Sequence, residues 1–463
     1  MARTCIIGGG ATGSREHIFP AALGGRRTNK GIYCGVHNHA YSGLAAIISD
    51  QLAFFNAYLG VVGDHADAPT RAAMTDVETG AEVELEQGRV RFKDPLVRPQ
   101  RAKDGSESTN IAFATRKAAE EWKARQKAAS ADVTIVGEAR KVRYFPGLQL
   151  KSIKLGGDAD GLRAIGYIGQ TFFAHAFPEE ARRGEMQVFK DYTLEGVGAD
   201  LVWWEFDYAD TRANAFAFGH RVVVGLDAGS GRAYCRISLF STLEFAMILA
   251  HLPVEASRAV VTDIDPLAKS PPNDIIVTQE ASAWGVVAIP TDTKGALSAA
   301  VSTGAAQRSL EALMRRLIDH ERQNAALKIA DKVKTAISLG AGDRENLFAG
   351  IADEEAQRVL SLMGHAADDL SQRASSPLEI ELARFMRAAV ERDANFDNGL
   401  TANATEMLGY ACQALAKQMH ADYSAGALQA PRIVELFGTG VGAHIVATAL
   451  SEIFITRLMG GSA

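Results

Sequence analysis

Cysteine is scarce: the chain has four in 463 residues, and Cys235 and Cys412 lie far from Cys5 and Cys34. That is too few to staple so long a chain, which excludes a disulfide framework and fits a reducing compartment. No charged-then-apolar leader opens the sequence, so no secretory signal is expected. Long apolar runs are also rare. The one that approaches spanning length, Val441 to Met459, contains His444, Glu452 and Arg457, and reads as a buried terminal helix rather than a membrane anchor. These absences predict a cytoplasmic protein with no membrane partner. An excess of positive charge is missing as well. A net charge of −6 excludes a chain that coats nucleic acid over its whole surface, because such binding neutralises phosphates.

The bulk that remains is that of a folded protein, with 47% apolar and 22% charged residues and a length that suits two or three domains. The pattern divides the chain at 1–65, 66–131, 132–284 and 285–463. Leu44, Ile47, Ile48, Leu52, Phe55 and Leu59, spaced three and four apart, predict a helix beginning just after Asn38 and ending at Gly60 or Gly63-Asp64. Residues 78–93 read as hairpins, 94–109 as a polar linker and 112–129 as a solvated connector helix.

Between 132 and 284 the expected strands are Val133–Val136, Gln149–Leu155, Met186–Phe189, Leu201–Tyr208, Phe216–Leu226, Arg232–Phe240 and Ile275–Thr278, with a helix at Leu162–Ala176. Asp227 to Gly231 is a hairpin signal, and strands in succession favour a mainly antiparallel sheet in an α+β domain. From Ala296 the period is helical, with Leu310, Leu313, Met314, Leu317 and Ile318 marking a core-facing stripe, so the C-terminal region is expected to be all-α.

The densest chemistry lies between Cys5 and Asn38, CIIGGGATGSREHIFPAALGGRRTNKGIYCGVHN. Residues 1–42 carry Arg3, Arg15, Arg26, Arg27 and Lys30 against the single carboxylate of Glu16, so positive charge gathers where this cluster sits. Glu16-His17 pairs a hard oxygen ligand with the side chain best matched to taking a proton near neutral pH. Adjacent strand residues point to opposite faces, so a bulge or a strand end is needed to turn both toward one site. Gly24-Gly25 allow a tight reversal, and Asn29 precedes Cys34 by five residues. Elsewhere the chemistry is thin. Asp263 and Asp265 read as a loop after the strand-like Ala259–Thr262, Trp203-Trp204-Glu205 as a buried strand, and His220 and His251 as ordinary hydrogen-bonded histidines.

Taken in order, Glu-His-Ile-Phe-Pro, Leu-Gly-Gly, Asn and Cys-x-x-His-Asn resemble the HNH endonuclease family over about residues 5–60, in the variant that opens with Glu-His. The resemblance implies a ββα-metal module, a β-hairpin and helix around one divalent cation. It assigns Glu16 and Asn38 as ligands of a catalytic Mg²⁺ or Mn²⁺, His17 as the base that activates water, and Asn29 as the residue that orients the His17 ring. Arg15, Arg26, Arg27 and Lys30 become candidate phosphate contacts. The family's paired zinc-binding cysteines correspond to Cys5-x-x-Gly8 and Cys34-x-x-His37. Three ligands survive, so either a fourth, such as His39, completes a structural Zn²⁺ site or packing has replaced the site.

The expected function is hydrolysis of DNA phosphodiesters, with double-stranded DNA as partner. The alternatives are an RNase or nickase of the same fold, or a non-catalytic nucleic-acid-binding or scaffold protein. A large body behind a small cutter suggests control by an activating partner or signal, as in bacterial antiviral defence, and the helical region offers a surface for a homo-oligomer.

Overall fold

In the computed structural model, residues 3–77, 80–101, 107–128, 148–150, 158–198, 201–206, 213–279, 293–338, 340–388 and 404–460 are described. The chain is mixed α+β, with an antiparallel sheet and helices toward its C-terminal end. It separates into two compact units, one of residues 1–125 and 149–315 and the other of 126–148 and 316–463.

The first unit opens with two short antiparallel strands, β1 (Glu16–His17) and β2 (Thr28–Asn29), followed by helices α1 (Gly35–Gln51) and α2 (Ala53–Leu59). The expected single helix is thus two, because Leu52 leaves helical geometry (φ −100°, ψ 5°). It also starts earlier than expected. Cys34 is the N-cap residue and its carbonyl accepts from the Asn38 amide, so Asn38 lies inside the first turn. Gly60 ends α2 in the left-handed region, φ 73°, where glycine has no steric penalty.

Strands β3 (Ala72–Asp76), β4 (Glu82–Glu86) and β5 (Arg89–Phe92) form a meander. The segment read as a linker is instead a hairpin of β6 (Leu96–Arg101) and β7 (Glu107–Ala112), with Pro99 opposite Thr109. The segment has no apolar/polar alternation to mark its strands, so its polarity and prolines read as a linker. Helix α3 (Arg116–Ala128) follows, and β8 (Leu148–Leu150) joins the meander sheet beside β3. Val133–Val136 and most of Gln149–Leu155 lie outside the described residues.

The organising element is α4 (Ala159–Ala176), buried along nearly its whole length. Asp158 caps it by accepting from the Gly161 amide at 2.8 Å and from Gln51 of α1 at 3.1 Å. One side of α4 faces a six-stranded antiparallel sheet ordered β14-β13-β10-β11-β12-β9. Those strands are β9 (Val202–Trp204), β10 (His220–Asp227), β11 (Arg232–Leu239), β12 (Leu243–His251), β13 (Arg258–Ile264) and β14 (Asp274–Gln279). Close approach needs small residues there: a Cβ on Gly169 would lie 2.3 Å from the Met247 sulfur. Met186–Phe189, expected as a strand, is a 3₁₀ turn entering helix α5 (Gln187–Glu195). Met186, Phe189 and Tyr192 are all buried, and their spacing of three is a helical period that a four-residue window hides.

The last helix wholly within this unit is α6 (Thr293–Ser302), and α7 (Ala305–Ile337) runs on into the second unit. That unit continues with α8 (Ala341–Arg373), α9 (Pro377–Ala388), α10 (Ala404–Ser424), α11 (Ala430–Ile433), a π-turn at Val434–Gly438 and α12 (Val441–Gly460). Its core joins Phe348, Met407, Leu415, Phe437, Val446 and Leu450. Among the described residues no single helix is long and apolar enough to cross a membrane, although Ala430–Gly438 and Val441–Thr456, bent by 55°, meet that standard as a pair.

Candidate active site

Register on the opening hairpin fixes the first two residues: Glu16 pairs with Asn29 and His17 with Thr28. The turn between the strands depends on its glycines. Gly24 sits at φ 85°, and a Cβ on Gly25 would lie 2.0 Å from the Phe19 carbonyl oxygen. Because β1 is only two residues long, both of its side chains line one cavity of about 550 Å³. Arg15, Asn38, His39 and Tyr167 line it too.

Glu16 is buried, and the Tyr167 hydroxyl from α4 donates to its Oε1. Burial pushes the Glu16 carboxyl up to about 7, while that hydrogen bond offsets part of the rise. Asn38 donates through Nδ2 to the Ser14 hydroxyl at 2.7 Å and more weakly to the Arg15 carbonyl. Glu16 Oε2 and Asn38 Oδ1 accept no hydrogen bond from the described residues, which leaves two oxygen donors on one cavity.

His17 meets Asp64, with Nε2 3.0 Å from Oδ2. Asp64 is shared, since Arg26 donates to its Oδ1 at 3.0 Å. The His17 hydrogen bond holds the Asp64 carboxyl below its ordinary range; burial opposes it, and the Arg26 hydrogen bond adds to the lowering. His65 packs edge-on against His17 with ring centroids 5.0 Å apart. The ligand atoms of His17, Asp64 and His65 lie close enough together to hold a metal.

Asn29 is engaged away from His17. Its Nδ2 meets His175 Nδ1 at 2.9 Å, and its Oδ1 accepts from the Gly31 amide at 2.8 Å. Of the candidate phosphate contacts, Arg26 and Arg27 are committed to carboxylates, the latter to both oxygens of Asp274. Arg15 and Lys30 are exposed, and only Arg15 lines the cavity.

A second group joins Cys5, Cys34 and His37, again with ligand atoms close enough to hold a metal. His37 Nδ1 lies 3.4 Å from the Cys5 sulfur and 3.1 Å from that of Cys34. At the N-terminus of α1 the Cys34 thiol is lowered, chiefly by the backbone amide of His37. The fourth ligand expected of His39 is not supplied, since that side chain lines the other cavity. Gly8 lies directly beneath His37, with an added Cβ only 2.6 Å from Cε1, so the imidazole covers the space where a residue 8 side chain would reach.

The other candidates are structural. Trp203 and Trp204 are buried in β9. Asp263 forms a two-point ion pair with Arg221 at 2.6 and 2.7 Å, and Asp265 caps the Leu267 amide. His220 is fully buried between Phe19 and Phe240 and accepts from the Phe240 amide, and His251 ends β12 beside Gly231.

The sequence marks Asp64 only as part of a helix-ending Gly-Asp pair and gives Tyr167 no role. The only signal of a site at Asp64 is the Asp-His pair directly after a glycine, while Tyr167 carries none, being one aromatic among the apolar residues of α4. No family model, no curated protein and no solved structure matches the chain.

Proposed function

We propose that the chain is a divalent-metal-dependent HNH endonuclease that hydrolyses DNA phosphodiester bonds. The observation that carries the reading is the cavity itself. Glu16 and Asn38 line it beside a histidine and an exposed arginine, and among the described residues Glu16 Oε2 and Asn38 Oδ1 accept no hydrogen bond. Two oxygen donors suit Mg²⁺ or Mn²⁺, which keep most of their positions for water and phosphate. A cation there would also lower the raised Glu16 carboxyl, as an opposite charge does. When bound, Mg²⁺ supplies positive charge to the phosphate and the leaving oxygen.

The chain's own groups supply the rest. His17 accepts a proton from water as the new oxygen–phosphorus bond forms and the bond to the leaving sugar oxygen breaks. Arg15 offers a cation to the phosphate backbone beside the cavity. Cys5, Cys34 and His37 offer two sulfurs and a nitrogen, a donor set that suits a structural Zn²⁺.

The test is incubation of purified full-length protein with supercoiled plasmid, linear duplex, single-stranded DNA and RNA in Mg²⁺, in Mn²⁺ and in EDTA. Cleavage of DNA in either metal and none in EDTA is expected. Cleavage of RNA alone would move the reading to a ribonuclease, and no cleavage of any polymer in either metal would overturn it.

A further inference from the structure

Resting on the nuclease reading, we propose that Asp64 is the positioning residue that fixes the ring of His17, and that Arg26 anchors Asp64. The residue to which the family resemblance gives this task, Asn29, has both ends of its amide engaged elsewhere. Asp64 instead lies 3.0 Å from His17 Nε2. A carboxylate can only accept, so Nε2 carries the ring proton and Nδ1 is left with a free lone pair, the state a base requires.

Asp64 is itself held. Its other oxygen accepts from Arg26, whose side chain is only 5% exposed and also donates to the carbonyls of Val62 at 3.2 Å and Ala268 at 3.0 Å. Ala268 belongs to the loop between β13 and β14, so the orientation of His17 traces back to the sheet. His65 packs against the same ring and limits its rotation. Asp64, His17 and His65 also bring ligand atoms close enough to hold a metal, but the Arg26 guanidinium already neutralises the carboxylate and repels a second cation there.

The experiment uses full-length protein with ¹⁵N-labelled histidine, the His17 signals being those lost in His17→Ala. The Nε2-protonated tautomer is expected in the parent, and Asp64→Ala should remove that bias. On the polymer the parent cuts, Asp64→Ala should lower kcat about 10²-fold with KM unchanged. Asp64→Glu should restore part of the loss, and Asp64→Ala should cost nothing more in a His17→Ala background. Thermal melts of each variant separate misorientation from unfolding.

The proposal is overturned by an Nδ1-protonated His17 in the parent, or by an Asp64→Ala loss as large in the His17→Ala background as in the parent. Added Zn²⁺ that shifts the His17 nitrogens and depends on Asp64 would also overturn it, assigning the trio to a metal. A parent that cuts nothing removes the nuclease reading, while the tautomer still decides the pairing of Asp64 with His17.

Discussion

His37 stands over Gly8, and this one contact explains why the sulfur and nitrogen ligands number three where the repeated spacing suggests four. Metal analysis of purified protein should find zinc, and Cys34→Ser should lose most of it; equal zinc in both would remove the site. His220 allows a prediction about pH. Burial lowers its imidazole from 6.5 to about 3. The unfolded chain therefore binds a proton that the native one refuses, and the stability present above pH 6.5 is lost as pH falls toward 3. Between pH 7 and 5 the parent should lose about 2 kcal/mol more than His220→Gln in urea denaturation. Equal losses would contradict the assignment. At this scale the sequence was legible where partners are close along the chain: Glu16 with His17, Cys34 with His37 and Asn38. It was not legible where a partner arrives from far away. Tyr167 reaches Glu16 from α4, and Asp274 takes up the charge of Arg27. No spacing rule encodes either approach.

Among the elements, α4 holds the β1–β2 hairpin in its place through Tyr167 and Glu16. Gly166 and Gly169 let it approach Val202 and Met247 of the sheet, and Tyr167, Gln170 and Thr171 reach the opening residues. Gln170 is fully buried and donates to the hydroxyls of Tyr33 and Tyr41 while accepting from Thr193. Gln170→Leu keeps the bulk and removes all three bonds, so it should destabilise the protein by about 2 kcal/mol in urea denaturation. A change within experimental error would show that the network does not fix the hairpin. The helix at Leu162–Ala176 and the strands from Phe216 to Phe240 were readable because their apolar periods run for several residues. The β6–β7 ribbon and the entry to α5 were misread because composition and short windows stood in for period.

On the scale of the whole molecule, the segment 1–65 buries part of its apolar surface against the rest of its unit. Phe19 packs against Phe172 and His220, Phe55 against Phe240, and the Asn273 amide donates to the Gly24 carbonyl. Residues 1–125 and 149–315 accordingly belong to one compact unit, with 126–148 in the other. A fragment of residues 1–65 should show no cooperative melt by circular dichroism, whereas 1–315 should melt cooperatively; a folded, cutting 1–65 fragment would contradict the dependence on α4. The sequence could not convey this, because apolar residues in a short module look the same whether they bury against one another or against a distant helix. The claim that His17 is the base of a metal-dependent nuclease is tested most directly by initial rates on supercoiled plasmid in Mg²⁺ for the parent and His17→Ala. A loss of about 10³-fold or more in the variant, with its melting temperature unchanged, is the predicted result. Equal rates would contradict it.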